Sequence, residues 1–275
     1  MTSNSVPWPP MIWIGGAPGA GKSTLAWKIS RAYDLPLHPV DLWAYDHAGR
    51  LPPTAGLDDE LAAGATRAAD SFEADAARRL ALVVEDVRAR ELGAVPALVE
   101  GPQLLPTFSG ELPTGRGVWL VPDPAQTRNA RAERLAAVPV DADRARLAAL
   151  LGRDAVLADR TRTQALAAGQ PVVDVPASPD WTAIGTAVEA PLGPALRTSP
   201  RLDAGPSLST QRRFENGVAS RQGQLWSAAV GLPDAPTFPF ACECGRTRCA
   251  AVGPVTAVEY DTYAAGGPFV VHEHL

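Results

Sequence analysis

The stretch Gly16-Ala17-Pro18-Gly19-Ala20-Gly21-Lys22-Ser23-Thr24 follows a short apolar run, precedes an amphipathic one, and fits the spacing G-x-x-x-x-G-K-[ST]. Such a segment commits the chain to a strand, a tight glycine-rich turn and a helix. Glycine permits backbone angles that turn successive N–H groups inward, and the helix N-terminus adds partial positive charge. Gly16, Ala17, Gly19, Ala20, Gly21, Lys22, Ser23 and Thr24 therefore form a candidate cradle for a polyphosphate. In it Lys22 would reach the β- and γ-phosphates, and the Ser23 hydroxyl would ligate Mg²⁺.

Around this loop, short apolar runs alternate with longer amphipathic ones between residues 11 and 195, which predicts a parallel sheet wrapped by helices. Strands are expected at 11–14, 37–40, 97–99, 118–121 and 172–175, giving a five-stranded P-loop α/β fold. The clearest helix spans about 66–91, with Phe72, Ala76, Leu80, Val83, Val84 and Val87 on one face. A second runs from about 154 to 168, and Ser178-Pro179-Asp180 opens a third. From Pro194 to Ser209 the chain is rich in Pro, Ser and Gly without periodicity, so the expected organisation is a domain at 1–195, a linker at 196–210 and a C-terminal module at 211–275.

Two residue types are scarce enough to be informative. Only Lys22 and Lys28 are lysines, so 23 of the 25 cations are arginine, and Lys28 reads as a solvated helix charge. With no lysine beyond residue 28, no N-K-x-D guanine signature can exist, which argues against a GTPase. A net charge of −5 argues against a broadly basic nucleic-acid surface. No run approaches the length of a membrane span, and the first ten residues lack a secretory pattern, so a reducing cytoplasm is expected.

Residues 11 to about 195 resemble the small-molecule kinases of the nucleoside-monophosphate-kinase-like branch, which includes adenylate, shikimate and gluconate kinases and chloramphenicol phosphotransferase. The match runs in order through the loop, Leu37-His38-Pro39-Val40-Asp41, Ala97-Leu98-Val99-Glu100-Gly101-Pro102, Val118-Trp119-Leu120-Val121 and Pro171-Val172-Val173-Asp174-Val175. The resemblance implies ATP and Mg²⁺ as cofactors and an acid at the end of the second strand that accepts the proton of an acceptor hydroxyl. Asp41 is the candidate, with Asp46 and His47 as close alternatives. Glu100 ends the third strand, where the branch more often has Asp, and would position the acceptor or a metal-bound water. The segment Gln126–Arg134 would be a lid whose arginines close on the transferring phosphoryl group, followed by a second set, Arg153, Arg160 and Arg162. Arg128, Arg131 and Arg160 are preferred, because a planar guanidinium binds phosphate oxygens bidentately.

All three cysteines fall in Cys242-Glu243-Cys244-Gly245-Arg246-Thr247-Arg248-Cys249, the spacing C-x-C-x₄-C. Three thiols within eight residues, and none elsewhere, point to a Zn²⁺ site on a tight turn. His272 or His274 would complete it, with His38 and His47 as the remaining choices. The spacing resembles the zinc segment after methyltransferase SET domains. The tail also resembles a module attached to uncharacterised bacterial kinases of this type, with Arg-x-x-Glu-Asn (Arg212 or Arg213, Glu215, Asn216) ahead of Cys-Glu-Cys-Gly. A metal staple for a small tail is the leading expectation.

The function expected from these features is ATP- and Mg²⁺-dependent phosphoryl transfer to a hydroxyl or phosphate of a small molecule. The alternative is a nucleotide-dependent switch whose cysteine tail binds a protein or nucleic acid. The acceptor pocket is expected between Asp41 and Glu100, where Trp43, Tyr45, Arg50, Phe72, Arg78 and Arg79 fit an aromatic or phosphorylated substrate.

Overall fold

The structure, a computed structural model, describes residues 7–136, 144–232 and 235–271. Its centre is a five-stranded sheet, β1 (Met11–Gly16), β2 (Leu37–Pro39), β3 (Ala97–Glu100), β4 (Gly117–Pro122) and β5 (Val172–Val175), in the order β2-β3-β1-β4-β5. Every pairing in it is parallel. Because strand side chains alternate between faces, β1 feeds two cores. Ile12 and Ile14 pack with Leu25 and Ile29 of α1 (Lys22–Ala32) and with Val188 and Leu192 of α7 (Trp181–Thr198). Met11 and Trp13 pack on the other face with Val83, Val84 and Val87 of α4 (Ala65–Ala89) and Ala165 of α6 (Arg144–Ala167). Between these lie the short helices α2 (Ala44–Arg50) and α3 (Leu57–Ala62) and the helix α5 (Pro124–Ala136).

The strands lie where the apolar runs place them, since a strand covered on both faces reads as a nearly unbroken hydrophobic run. The helix at 154–168 begins ten residues earlier, at Arg144. Composition misreads residues 196–210, whose two ends are helical: α7 runs through Pro194 to Thr198, and α8 (Pro206–Val230) begins at Pro206. Two prolines inside α7 remove two helix hydrogen bonds, but Leu192 and Leu196 are fully buried, and their burial holds the helix against that cost. Asp180 caps its start by accepting from the Thr182 and Ala183 amides at 2.9 and 3.2 Å.

After α8 come an antiparallel hairpin, β6 (Thr237–Ala241) and β7 (Val252–Thr256), and α9 (Ala257–Gly266). Phe240, Ala257, Tyr260 and Phe269 form their small core, with Phe240 and Tyr260 stacked at 4.4 Å between ring centroids. Buried Glu243 organises it, accepting from Asn216 Nδ2 and the Tyr260 hydroxyl, each at 2.8 Å, and from the Phe269 amide at 2.9 Å.

This module is tied to the sheet through α8. Glu215 accepts from the Leu37 amide at 2.7 Å and from Arg31 and Arg212 at 3.0 Å, with Arg90 at 3.9 Å. Of Arg212 and Arg213, it is Arg212 that has the Arg-x-x-Glu spacing to Glu215 and makes this pairing; Arg213 donates to the Ala264 carbonyl instead. No helix among the described residues is long and apolar enough to cross a membrane.

Candidate active site

The site lies at the C-terminal edge of the sheet, the end of a parallel α/β sheet where loops leave room for ligands. Gly16, Gly19 and Gly21 all have positive φ, at 127°, 82° and 74°. Space is as restrictive as angle. A Cβ on Gly16 would come within 2.2 Å of the Leu120 carbonyl oxygen, and one on Gly21 within 2.3 Å of the Trp181 ring. The loop is thus pressed between β4 and α7 in a form only glycine supports. Lys22 is buried with its Nζ donating to the Ala17 carbonyl at 2.9 Å, which curls the ammonium back over the loop. Ser23 and Thr24 are exposed at the helix start, and Lys28 is exposed further along.

Two clefts meet at this loop. The first, of about 250 Å³, is lined by Gly19, Gly21, Lys22, Ser23, Thr24, Asp41, Phe72, Gln103, Arg131 and Arg153, among others. Its cations converge from three elements. Arg131 of α5 and Arg153 of α6 both bind the fully buried Asp154, at 2.6 and 2.9 Å, so one carboxylate fixes two guanidiniums at the cleft. Phe72 supports Arg153 from α4, with 5.8 Å between the guanidinium carbon and the ring centroid.

The second cleft, of about 490 Å³, shares Ser23, Thr24 and Asp41 with the first. It adds buried Glu100 and the apolar side chains of Trp27, Leu37, Pro39, Leu42, Pro239 and Val252. Asp41 follows β2 and accepts from Gln103 Nε2 at 2.7 Å, which orients its carboxylate at the junction. Glu100 ends β3 in register with Ile14 and faces only the second cleft.

Several residues singled out in the sequence lie elsewhere. Arg160 pairs with Asp70 and Glu73 of α4 at 2.7 and 2.8 Å, and Arg128 lines a separate cavity of about 450 Å³ between α5 and α6. Arg153, grouped with Arg160 by sequence, is the one beside the loop, while its anchor Asp154 carries no motif. His47 and Asp46 belong to a cluster with Asp86 and Arg50, in which His47 Nε2 is 2.7 Å from Asp86. Neither lines the two clefts.

Of the six residues expected to shape the acceptor pocket, Phe72 alone lines either of these two clefts, and it is the phosphate-loop one. Trp43 stacks on His38 at 5.2 Å and leans on Phe214 of α8; Arg78 and Arg79 bind Asp75. Burial pushes the His38 imidazole down to about 3, with Arg90 adding to the effect, so His38 is neutral at physiological pH.

The sulfurs of Cys242, Cys244 and Cys249 lie within 4.8 Å of one another, close enough to share one ion. Burial first, and then the adjacent thiols, pushes Cys249 up to about 11. Among the described residues no histidine or carboxylate joins this group, so neither His38 nor His47 does. His272 and His274 lie outside the described residues.

No protein-family model matches the chain, and no curated protein matches it. Solved structures similar to it include a kinase and two sulfotransferases. A gluconokinase from Sinorhizobium meliloti 1021 is 16% identical, with 70% of this chain and 96% of that one covered and a TM-score of 0.37. A sulfotransferase from Alicyclobacillus acidocaldarius is 13% identical, covering 81% and 96%, at a TM-score of 0.41. The sulfotransferase domain from the curacin biosynthetic pathway is 13% identical, covering 75% and 78%, at 0.38. Likeness of this order carries no functional argument; the residues around the two clefts do.

Proposed function

We propose that the chain is an ATP-dependent kinase that phosphorylates a hydroxyl of a small molecule. The observation that carries this reading is the placement of Asp41 where the phosphate-loop cleft meets a second cleft, with Lys22, Arg131 and Arg153 on the phosphate side. A hydrolase needs only the first cleft and a water. A kinase needs a proton acceptor at the junction and a place for the acceptor molecule behind it.

In this reading the loop amides and Lys22 hold the β- and γ-phosphates. The Ser23 hydroxyl would hold Mg²⁺, which would supply neutralising charge on the phosphate oxygens. The acceptor oxygen forms a bond to the γ-phosphorus as the bond from that phosphorus to the β–γ bridging oxygen breaks. ADP leaves with that bridging oxygen, and the acceptor proton passes to Asp41 and on to solvent. Arg131 and Arg153, held in place by Asp154, bind the equatorial oxygens, on which charge is spread in transit.

The test is transfer of γ-labelled phosphate from ATP to panels of hydroxyl compounds. Asp41→Asn keeps the hydrogen bond from Gln103 available and removes the base, and is expected to lower kcat by about 10²–10⁴ while nucleotide affinity is retained. An Asp41→Asn protein with wild-type kcat would remove the proposed base.

For the tail, the reading is a structural Zn²⁺ held by Cys242, Cys244 and Cys249, with His272 or His274 as the fourth ligand. The mutual proximity of the thiols supports it, because three soft sulfur donors within 4.8 Å of one another suit a single Zn²⁺. Purified protein is expected to contain zinc at unit stoichiometry by plasma emission spectrometry. Cys244→Ser is expected to lose the zinc and lower the melting temperature, and a metal-free wild-type chain of equal stability would exclude the site.

A further inference from the structure

The second cleft is built from two parts of the chain that are far apart in sequence. Trp27, Leu37, Pro39 and Leu42 come from α1 and the β2 end of the sheet, whereas Pro239 and Val252 come from the C-terminal hairpin. The hairpin is held there through α8, which the Glu215 ion pairs fix to the sheet and whose Asn216 bonds Ala241, and by two hydrogen bonds from backbone amides. The Gly205 amide donates to the Gly245 carbonyl at 2.8 Å, and the Arg248 amide donates to Asp34 at 2.7 Å.

The chemistry of the lining is one-sided. Among the described residues both ionisable groups in it are carboxylates, Asp41 and Glu100, and no arginine, lysine or histidine lines it, although arginines crowd the adjoining phosphate cleft. An anionic molecule in the second cleft would meet like charge at one end and apolar walls elsewhere, with no cation among the described residues of the lining to neutralise it. At about 490 Å³ the cleft lies within the range of small-molecule sites, roughly 300–1,000 Å³.

We propose that this tail-walled cleft is the acceptor site and that it selects an uncharged or cationic hydroxyl compound with an apolar body, rejecting anionic acceptors such as sugar acids and nucleoside monophosphates. The proposal rests on the phosphoryl-transfer reading above. Asp41 and Glu100 take the polar end of the acceptor, placing its hydroxyl at the junction beside Ser23, while Trp27 and Leu42 face its apolar body across from Pro239 and Val252. The C-terminal module is thereby part of substrate recognition as well as a folded appendage.

Three probes that share one skeleton isolate the charge: phenylethanediol, phenylethanolamine and mandelate carry the same ring and hydroxyl with a neutral, a cationic and an anionic arm. Saturation-transfer NMR on the full chain with MgADP bound is expected to show the diol and the amine binding, with mandelate at least roughly tenfold weaker. Val252→Lys puts a cation on the half-exposed hairpin wall and is expected to reverse the order, strengthening mandelate and weakening the amine. Val258→Lys, on the exposed face of α9, adds the same charge away from the cleft and is expected to keep the wild-type order. Mandelate binding as well as its partners, an order indifferent to Val252→Lys, or no binding by any of the three would overturn the acceptor-site proposal. Failure of the kinase reading is read separately: MgADP would then not bind, or Lys22→Ala would not weaken it.

Discussion

Lys22→Ala is expected to lower kcat/KM for phosphoryl transfer by about 10²–10³, the loss seen when one preorganised charge-stabilising donor is removed from a transition state. Position explains the size of the effect. The ammonium is buried and folded over the loop by the Ala17 carbonyl, so in a site shielded from water its charge acts on phosphate oxygens with little screening. Lys22→Arg is expected to recover little of the loss. The loop is pressed between Leu120 of β4 and Trp181 of α7, close enough that even a methyl group on Gly16 or Gly21 would collide, so the loop cannot shift to let a broader, planar guanidinium replace the compact ammonium. The measurement is steady-state turnover with MgATP alongside nucleotide affinity by calorimetry. Unchanged thermal unfolding of each variant separates lost chemistry from lost fold. A Lys22→Ala enzyme with most of the wild-type rate would take the loop out of the reaction.

Lys22 also marks the limit of what could be read from sequence. The loop was legible because its constraint is local: phosphates demand amides, glycines and one ammonium within a few residues. The strands were legible because each is covered on both faces, as in Ile12 and Ile14 alternating with Met11 and Trp13.

The arginines show where local pattern stops. Arg153 and Arg160 are seven residues apart on α6, so they share a face, yet at 1.5 Å per residue they are about 10 Å apart along the axis. That offset sends Arg153 to Phe72 and the loop cleft, and Arg160 to Asp70 and Glu73. Periodicity reports the face and is silent on the distance from the loop. The second cleft was less legible still: Pro239 and Val252 follow Leu42 by about two hundred residues, and only the docking of the hairpin brings them together. Pro194 misled for the opposite reason, since local helix-breaking chemistry was overridden by burial of Leu192 and Leu196.

Glu215→Ala is expected to destabilise the protein by about 3–5 kcal/mol, the usual cost of removing one partner from a buried ion pair. At about 2–4 °C per kcal/mol for a chain near this size, the melting temperature should fall by roughly 10 °C. The variant leaves Arg31 and Arg212, both about 95% buried, and the buried Arg90 around an empty position, with no other carboxylate paired to them among the described residues. It also frees the Leu37 amide at the edge of the sheet.

The effect has a definite pH signature. Burial by itself would raise the Glu215 carboxyl, but Arg212, Arg31 and Arg90, with the Leu37 amide, outweigh it and pull the value from 4.5 down to about 2. A carboxyl whose value is lower in the folded state gives stability that is complete above 4.5 and lost as pH falls toward 2. The gap between wild-type and Glu215→Ala melting temperatures should therefore be widest near neutrality and narrow through that acid window. Glu215→Gln retains an acceptor for Leu37 and is expected to fall between the two. Because Glu215 fixes α8 to the sheet, and the neighbouring Asn216 of α8 holds Ala241 of the hairpin that carries Pro239 and Val252, the same variants should weaken phenylethanolamine binding more than MgADP binding. Equal loss of both ligands would mean that the ion pairs serve the fold as a whole and leave the acceptor wall no more dependent on them than the phosphate loop.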